Sequence, residues 1–581
     1  MKATDSKGDL NLEILRHSAS HIMAQAVKRL FPKAKLGIGP AIKNGFYYDF
    51  GIDGTVLSQN LDRVQKEMRK IIKEDLPIEK EVLTKEKAAK VFRQREEPYK
   101  VQLLEEIEDE TVTVYRQGEF VDLCRGPHLE STGKLRFFRL TSVAGAYWRG
   151  KEGNPMLTRI YGTSFYTEKE LEDYLGKIEE AKRRDHRKLG RELDLFSISS
   201  ELGAGLVIYH PKGALLKDII ENFEKEEHLK RGYQLVMSPH ISRAALWKTS
   251  GHLDFYRKNM YLFSSGDEEW VIKPMNCPAH ILIYKSRVRS YRDLPLRYFE
   301  LGTVYRREES GVLRGLLRVR GFTQDDAHIF CIPSQLVEEV GKVLQFAIFM
   351  MDTFDLGYHM TLSTRPAEFI GSPDHWERAT QALKDALREE GLDFQMAQGE
   401  GAFYGPKIDI QMEDVLGRLW QGPTIQVDFN LPERFDLRYV APNGERKRVV
   451  MVHRVVLGTI ERFLGILIEH VGGAFPLWLS PVQVRILTVT EKENSFAENL
   501  HQQMVNKGVR SEMDLRNELL GFKVRQAELD KIPYMLIIGQ KEAQKGTVTA
   551  RKRNGDNLKD IKPEDFIQTV TEAVKEKRIE I

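Results

Sequence analysis

Three constellations in this 581-residue chain hold residues whose types and spacing could do chemistry. The first pairs His17 and His21, four apart in a helical pattern, with Cys124 and His128 of "DLCRGPH". Two imidazoles at i and i+4 plus a CxxxH supply four donors of the kind that hold zinc. Without a metal, the same imidazoles could position a water for ester hydrolysis. Exposed histidines beside a buried cysteine would give the same spacing. With Leu15 at zero on a helical wheel, His17 and His21 fall at roughly 200° and 240°, opposite the apolar stripe, so the pattern predicts that neither is a core residue.

The second constellation is Cys277 in "KPMNCPAH", His328 in "RVRGFTQDDAHIF" and His453 in "VMVHRVVLGTIERF". One cysteine and two histidines are the number of protein donors that leaves zinc an open position. Their separation makes this a weak signal by spacing alone, and His280 and Cys331 compete as ligands. The third constellation is basic. In "TVYRREESGVLRGLLRVRGF" two strands flank a loop, and Arg306 and Glu308, two apart, are expected on one strand face. A guanidinium fork suits phosphate or carboxylate. Arg462 falls in the first turn of a helix after Gly458, where the dipole disfavours a cation. An anionic ligand would relieve that, as would a surface ion pair. No GxxxxGK[ST] loop, no GxGxxG after a strand and no HExxH occurs, so any nucleotide must be held by discrete side chains.

The elements that must position these residues are those of a chain too long for one core. Apolar residues make up 41% and charged residues 30%, as in ordinary soluble globular proteins. The net charge of +3 carries no argument for nucleic acid, but "AKRRDHRK" at 181–188 and the arginines from Arg306 to Arg320 are local basic stripes. The three cysteines, Cys124, Cys277 and Cys331, make no disulfide framework. The first residues have no apolar signal core and no run of 18 apolar residues follows, so a cytoplasmic protein that does not span membranes is expected. Hydropathy periods place a tail at 1–9, a mixed α+β region at 10–166 that opens on a helix, and a charged connecting helix at 167–193. An α/β region at 194–478 follows, its strands arranged as an antiparallel sheet, and then a small α/β domain at 479–581.

Three of these segments resemble the signature motifs of class II aminoacyl-tRNA synthetases. They are the helix, strand and proline of 215–239, ending at Pro239; the strand–loop–strand with Arg306-x-Glu308; and "LGTIERF" with Arg462. "IKPMNCPAH", "RVRGFTQDDAHIF", "GEGAFYGPKID", "HRVVLGTIERF", "LRHSASH" and "VDLCRGPH" are together similar to threonyl-tRNA synthetases, from about residue 10 to the end.

The resemblance implies an α+β multidomain fold: a class II antiparallel sheet core, an N-terminal α+β editing domain and a C-terminal α/β anticodon-binding domain. It implies a homodimer, the partners tRNA(Thr), ATP and L-threonine, one zinc per subunit held by Cys277, His328 and His453, and Mg2+ with ATP. Arg306 is expected on the α-phosphate and Arg462 on the γ-phosphate, with Arg318 assisting and Glu308 and Phe322 framing adenine. Asp326 is expected to accept from the threonine hydroxyl, with Gln324, Tyr404, Lys407, Gln421 and Gln426 completing the substrate pocket. His252 matches a base for the transfer step. A site that must bind a hydroxyl rejects valine, but serine differs by one methyl, worth about 1–3 kcal/mol, so a hydrolytic site is needed. His17, His21, Cys124 and His128, with Tyr48, Lys100 and Asp122, match that editing site. The family reads it as metal-free, whereas related alanyl editing domains keep zinc. Asn517, Glu542 and Arg551 match anticodon contacts. Bacterial members usually carry a further small N-terminal domain of about 60 residues, absent from this sequence. A non-catalytic RNA-binding relative and a freestanding aminoacyl-ester hydrolase are the rival readings; the intact arginines and zinc trio count against the first, and the length beyond residue 165 against the second.

Overall fold

A computed structural model describes residues 6–151 and 153–579. Contacts divide the chain into two compact units, Met1–Glu180 and Ala181–Ile581.

In the first unit a five-stranded antiparallel sheet has the strands Lys35–Leu36, Gly45–Gly51, Met156–Phe165 and Phe137–Tyr147 side by side, with Ala41–Ile42 also on Gly45–Gly51. A second, three-stranded sheet joins Ile78–Thr84, Thr111–Gln117 and Phe120–Leu123. The helix Ser6–Leu30 lies at the centre of the core, with Leu15, Ile22, Met23 and Val27 packed among Phe46, Phe50, Met68 and Phe120. Two expectations change here. The helix already runs from Ser6, before the expected residue 10, since no proline interrupts that stretch; residues 1–5 of the expected tail lie outside the described residues. His21 is also a core residue, 2% exposed. The wheel misleads because the polar stripe of this helix is covered too: Ser18 accepts from Leu129 N at 2.8 Å and Ser20 donates to Gly39 O at 2.6 Å. Small side chains let neighbours approach, and internal hydrogen bonds satisfy the polar ones.

The second unit begins inside the expected connecting helix. That segment is two helices, Glu168–Arg183 and His186–Glu192, because the Asp185 carboxylate accepts from Arg187 N and caps a new start. The main sheet has eight strands, in the order Gln234–Leu235, Leu296–Tyr305, Gly321–Cys331, Val450–Val455, Leu419–Asp428, Lys407–Glu413, Gly357–Ser363 and Gln395–Ala397. Only the two edge pairings are parallel. One face packs on the helices Pro211–Lys230, Leu336–Thr353 and Ile460–His470, with Ala327, Ile329, Val427, Val452, Leu344 and Phe463 in one continuous core. The other face is left for the site.

Toward the C-terminus a five-stranded sheet sets Ser511–Asp514, Val484–Thr488 and Tyr534–Ile538 parallel, then Val548–Lys552 and Asn557–Ile561 antiparallel. Ile486 and Leu536 pack on one side, Leu487 and Met535 on the other, as a sheet buried on both faces requires. Asn557–Ile561 was not expected from the sequence: it is an exposed, polar edge strand without an apolar signature.

Candidate active site and a second histidine–cysteine cluster

Residues directly opposed in neighbouring strands share a face. The pairings Tyr298–His328, His328–His453, His453–Gln426 and Gln426–Lys407 therefore form one row across five strands. Asp326, Gln324 and Phe322 continue that face at the strand period of two. Asp325, between them, points the other way and accepts from Val456 N, Leu457 N and Gly458 N at 2.5, 3.0 and 2.8 Å. It thus fixes the turn into Ile460–His470.

Over this floor lies a cavity of about 400 Å³, lined by Arg306, Glu308, Arg318, Arg462, Phe322, Gln324, Asp326, Tyr404, Gln421 and Gln426 together with Cys277, His328 and His453. Two expected residues stand outside the lining. His252 is buried behind Met275, with Nε2 3.1 Å from the Met275 sulfur and Nδ1 2.7 Å from Ser250 Oγ. Burial, then the nearby His453 and two arginines, drop its pKa to about 4. Lys407 pairs with Asp409 at 2.7 Å beside Gln426, which accepts the Tyr404 hydroxyl. Tyr256 and Met275 also line the cavity; Met275 lies within the "IKPMNCPAH" segment, but neither residue was singled out in the sequence.

At one end the donor atoms of Cys277, His328 and His453 lie within 4.8 Å of one another. His328 Nε2 and His453 Nδ1 face each other at 3.0 Å, near the spacing of about 3.3 Å that two nitrogens take on a tetrahedral zinc. Burial, then His280 and His453, push the His328 imidazole well below its ordinary pKa, so it is neutral. Burial, then the Asp326 and Asp428 carboxylates, push the Cys277 thiol well up; a cation at this point would reverse that. Two imidazoles whose Nε2 and Nδ1 face each other, a thiol and an adjacent cavity fit zinc with an open position. The two competing donors lie apart from the trio. Cys331 is fully buried in the strand Gly321–Cys331, within the helix-packed core of the opposite face, and His280 meets His328 on the far side of its ring, Nδ1 to Nδ1 at 2.8 Å.

At the other end three guanidiniums line the cavity, one of them paired with Glu308. Arg318 pairs with Glu308 at 2.8 Å, Arg306 sits 5.1 Å from the Phe322 ring centre, and Arg462 donates to Leu317 O at 3.1 Å. Burial, then Arg306 and Arg318, lower the Arg462 pKa. Such crowding suits a polyanion. Arg306 and Glu308 do not share a strand face, however: the strand ends at Tyr305. Arg306 N still reaches Arg320 O, but Arg307 N turns to Asn259 O and the chain leaves the sheet.

In the first unit His17, His21, Cys124 and His128 also gather, their donor atoms within 4.8 Å of one another. The Cys124 sulfur is 3.2 Å from both His17 Nε2 and His128 Nε2. Gly126 has φ +69°, and a Cβ there would overlap the Tyr115 hydroxyl, so glycine permits the turn that returns His128 to Cys124. Behind them Asp122 is buried, bonded to Lys100 Nζ at 2.5 Å and to the Tyr48 hydroxyl at 2.6 Å, with His21 Nε2 at 3.5 Å. The His21 Nδ1 is buried without a partner. Burial lowers the pKa of His17, His21 and His128 and raises that of Cys124 to about 11. The cluster is one of neutral groups with a cation, Lys100, next to it.

In the C-terminal sheet Glu542 accepts from Thr549 Oγ1 at 3.0 Å, on the strand that carries Arg551. Arg551 pairs with Glu528 at 3.0 Å. Asn517 is exposed just before the helix Leu520–Leu529.

Residues 261–471 match the tRNA synthetase class II core domain (G, H, P, S and T), 483–573 the anticodon binding domain, and 112–161 the threonyl and alanyl tRNA synthetase second additional domain. A threonine–tRNA ligase of Citrifermentans bemidjiense is 56% identical over 97% of this chain and 89% of its own length. One of Pelobacter propionicus is 57% identical over the same shares. Among solved structures, the RNA binding domain of a threonyl-tRNA synthetase from Cryptosporidium parvum superposes with a TM-score of 0.64 at 40% identity, covering 67% of this chain and 98% of that one. A prolyl-tRNA synthetase of the same organism, 16% identical, shares the fold with a TM-score of 0.52 over 67% of this chain and 74% of its own.

Proposed function

The chain belongs to the threonyl-tRNA synthetases, and from that premise we propose that it activates L-threonine with ATP, transfers the threonyl group to the 3′ end of tRNA(Thr), and hydrolyses seryl-tRNA(Thr) in its N-terminal unit. The observation that carries the reading is one cavity with a metal-type donor trio at one end and three arginines at the other.

Cys277, His328 and His453 are the residues that hold zinc in this reading. When bound, the ion supplies a Lewis-acid position for the amino and hydroxyl groups of threonine. Asp326, its Oδ2 held by Asn276 Nδ2 at 3.0 Å, accepts from the threonine hydroxyl. Valine brings no hydroxyl and leaves the other oxygen of that carboxylate desolvated and unpaired. Arg306 binds the α-phosphate and stabilises the charge that grows as the carboxylate of threonine attacks the α-phosphorus and the bond to the leaving pyrophosphate breaks. Arg462 and Arg318 hold the outer phosphates, and Mg2+ accompanies ATP. Glu308 and Phe322 take the adenine, and Gln324, Tyr404, Lys407, Gln421 and Gln426 order the substrate side of the sheet. For His252 to act as a base in transfer, Met275 must move aside.

In the N-terminal unit His17, His21, Cys124 and His128 position a water against the ester of a mischarged tRNA, and Tyr48, Lys100 and Asp122 hold them in place. Lys100, paired with Asp122 behind the cluster, favours the metal-free form. Asn517, Glu542 and Arg551 contact the anticodon. The protein is a cytoplasmic homodimer in this reading; among the described residues no helix is long and apolar enough to cross a membrane, and the exposed Leu229, Met237 and Ile241 around the first signature motif suit a subunit contact.

ATP–pyrophosphate exchange with threonine, valine and serine, before and after chelation of zinc, tests the proposal. Strong exchange with threonine, weaker exchange with serine, barely measurable exchange with valine, and loss on chelation are expected. Absence of threonine-dependent exchange in zinc-replete protein would refute it.

A further inference from the structure

We propose that His280, backed by Glu300, is the positioning residue that fixes the tautomer and orientation of the His328 imidazole toward the metal; this rests on the zinc reading above.

His280 lies one helical turn after Cys277 on the helix Cys277–Lys285. One short element thus delivers both a donor and a support. The ring of His280 is completely buried. Its Nδ1 is 2.8 Å from His328 Nδ1, and its Nε2 is 3.1 Å from Glu300 Oε2. The other oxygen of Glu300 takes Lys273 Nζ at 3.1 Å, and Ser238 gives the same carboxylate its amide at 3.0 Å and its hydroxyl at 2.8 Å.

Two ring nitrogens in contact need one proton between them. A neutral His328 that offers the Nε2 lone pair to a metal carries its proton on Nδ1. His280 Nδ1 must then accept it, so the His280 proton sits on Nε2 and points at Glu300. Every contact in the series His328, His280, Glu300, Lys273 then has one donor and one acceptor. The opposite tautomer of His280 would set two N–H groups against each other and leave the Glu300 oxygen facing a lone pair. The carboxylate therefore dictates which nitrogen of His328 is free. His453 obtains the same service directly, Nε2 lying 3.0 Å from Asp428 Oδ2. His280 is not itself a metal donor, because both of its nitrogens are committed and it meets the edge of His328 that faces away from His453. Partners of this kind typically account for 10- to 100-fold in metal affinity, by orienting the ligand and raising its basicity.

The test uses the full chain with His280→Leu, His280→Gln and Glu300→Gln. Zinc affinity is read by competition with a chromophoric chelator, and ligand geometry by the visible spectrum of the cobalt(II) protein. His280→Leu should bind zinc about 10- to 100-fold more weakly and shift the cobalt bands, with KM for threonine rising more than KM for ATP. His280→Gln should recover most of the affinity, because its amide oxygen can accept from His328 and its amino group can donate to Glu300. Glu300→Gln should weaken zinc in the same direction by less, and it decides the matter if the leucine chain does not fold. Unchanged affinity and spectrum in His280→Leu, or in Glu300→Gln where the leucine chain does not fold, would overturn the inference, as would equal losses for leucine and glutamine. A wild-type chain that binds no zinc would overturn both this and the zinc reading, whereas zinc in the wild type with insensitive variants would sink only the positioning role.

Discussion

Replacing Asp326 with asparagine should abolish most of the preference for threonine over valine while leaving the metal in place. The residue is 9% exposed, and its two carboxylate oxygens do different work. Oδ2 receives Asn276 Nδ2 at 3.0 Å, and Oδ1 lies 3.7 Å from His328 Nε2, beside the metal position. A hydroxyl arriving there makes a hydrogen bond to a largely buried carboxylate oxygen. Such bonds contribute about 1.5–3 kcal/mol, and each 1.36 kcal/mol is tenfold in rate, so Asp326→Asn should lower kcat/KM for threonine by about 10- to 150-fold. Valine makes no such bond and should lose little, so the threonine-to-valine ratio should fall by about the same factor. The variant amide can still accept from Asn276, which keeps the strand and the neighbouring imidazole undisturbed. Pyrophosphate exchange at saturating ATP with each amino acid reads the ratio, and metal analysis checks the zinc content. A parallel loss for threonine and valine, or no loss for threonine, would refute the assignment of Asp326 to the hydroxyl.

Arg462→Ala should cut kcat/KM for ATP by about 10- to 150-fold through lost charged hydrogen bonds. The melting temperature should not fall, because a cation crowded by Arg306 and Arg318 destabilises the ligand-free fold; a large drop in melting temperature would contradict this. His21→Ala should slow deacylation of seryl-tRNA by about 10²- to 10⁴-fold and leave threonine activation intact; unchanged deacylation would remove His21 from the hydrolytic site. Glu461 is buried, its oxygen accepting from Thr323 N at 2.8 Å, and burial raises its pKa from 4.5 to about 7. A carboxyl with a raised folded pKa holds its proton more tightly when folded, so its contribution is complete below about pH 4.5 and is lost as pH rises through 7. Glu461→Gln should therefore gain stability over the wild type between pH 5 and 8, by up to about 3 kcal/mol, read by chemical denaturation at both pH values; a pH-independent difference would contradict the shift.

The central sheet was legible because its long strands are separated by helices and hairpins rather than by a βαβ repeat. Which residues share a face came from the structure: Phe322, Gln324, Asp326 and His328 on one side, Asp325, Ala327 and Ile329 on the other. The trio of Cys277, His328 and His453 was suggested by residue type and singled out by family likeness; spacing could not join residues brought together by sheet register. His21 was misread because a wheel assumes one wet side, whereas Ser6–Leu30 is covered all round where it carries Ser18, Ser20 and His21. The strand expected under Arg306 and Glu308 stops at Tyr305 because backbone partners outside the sheet take over. Asn276, Asp428 and Glu300 went unremarked, since what marks them is the atom they touch. Their signal in the sequence is only proximity: Asn276 precedes Cys277, and Asp428 lies two beyond Gln426.

The row that carries His328 and His453 has a consequence for assembly. Two of the three donors are 125 residues apart in the chain yet are set opposite each other by a backbone ladder that needs no metal. Slipping that ladder by one residue would bring the face of Ala327 or Ile329 to the site and leave Cys277 with one imidazole. An ion that needs all three donors therefore binds tightly to one register alone. Capture of the metal can follow folding and act as its proofreader, since a chain whose strands paired one step out could fold compactly but could not be loaded.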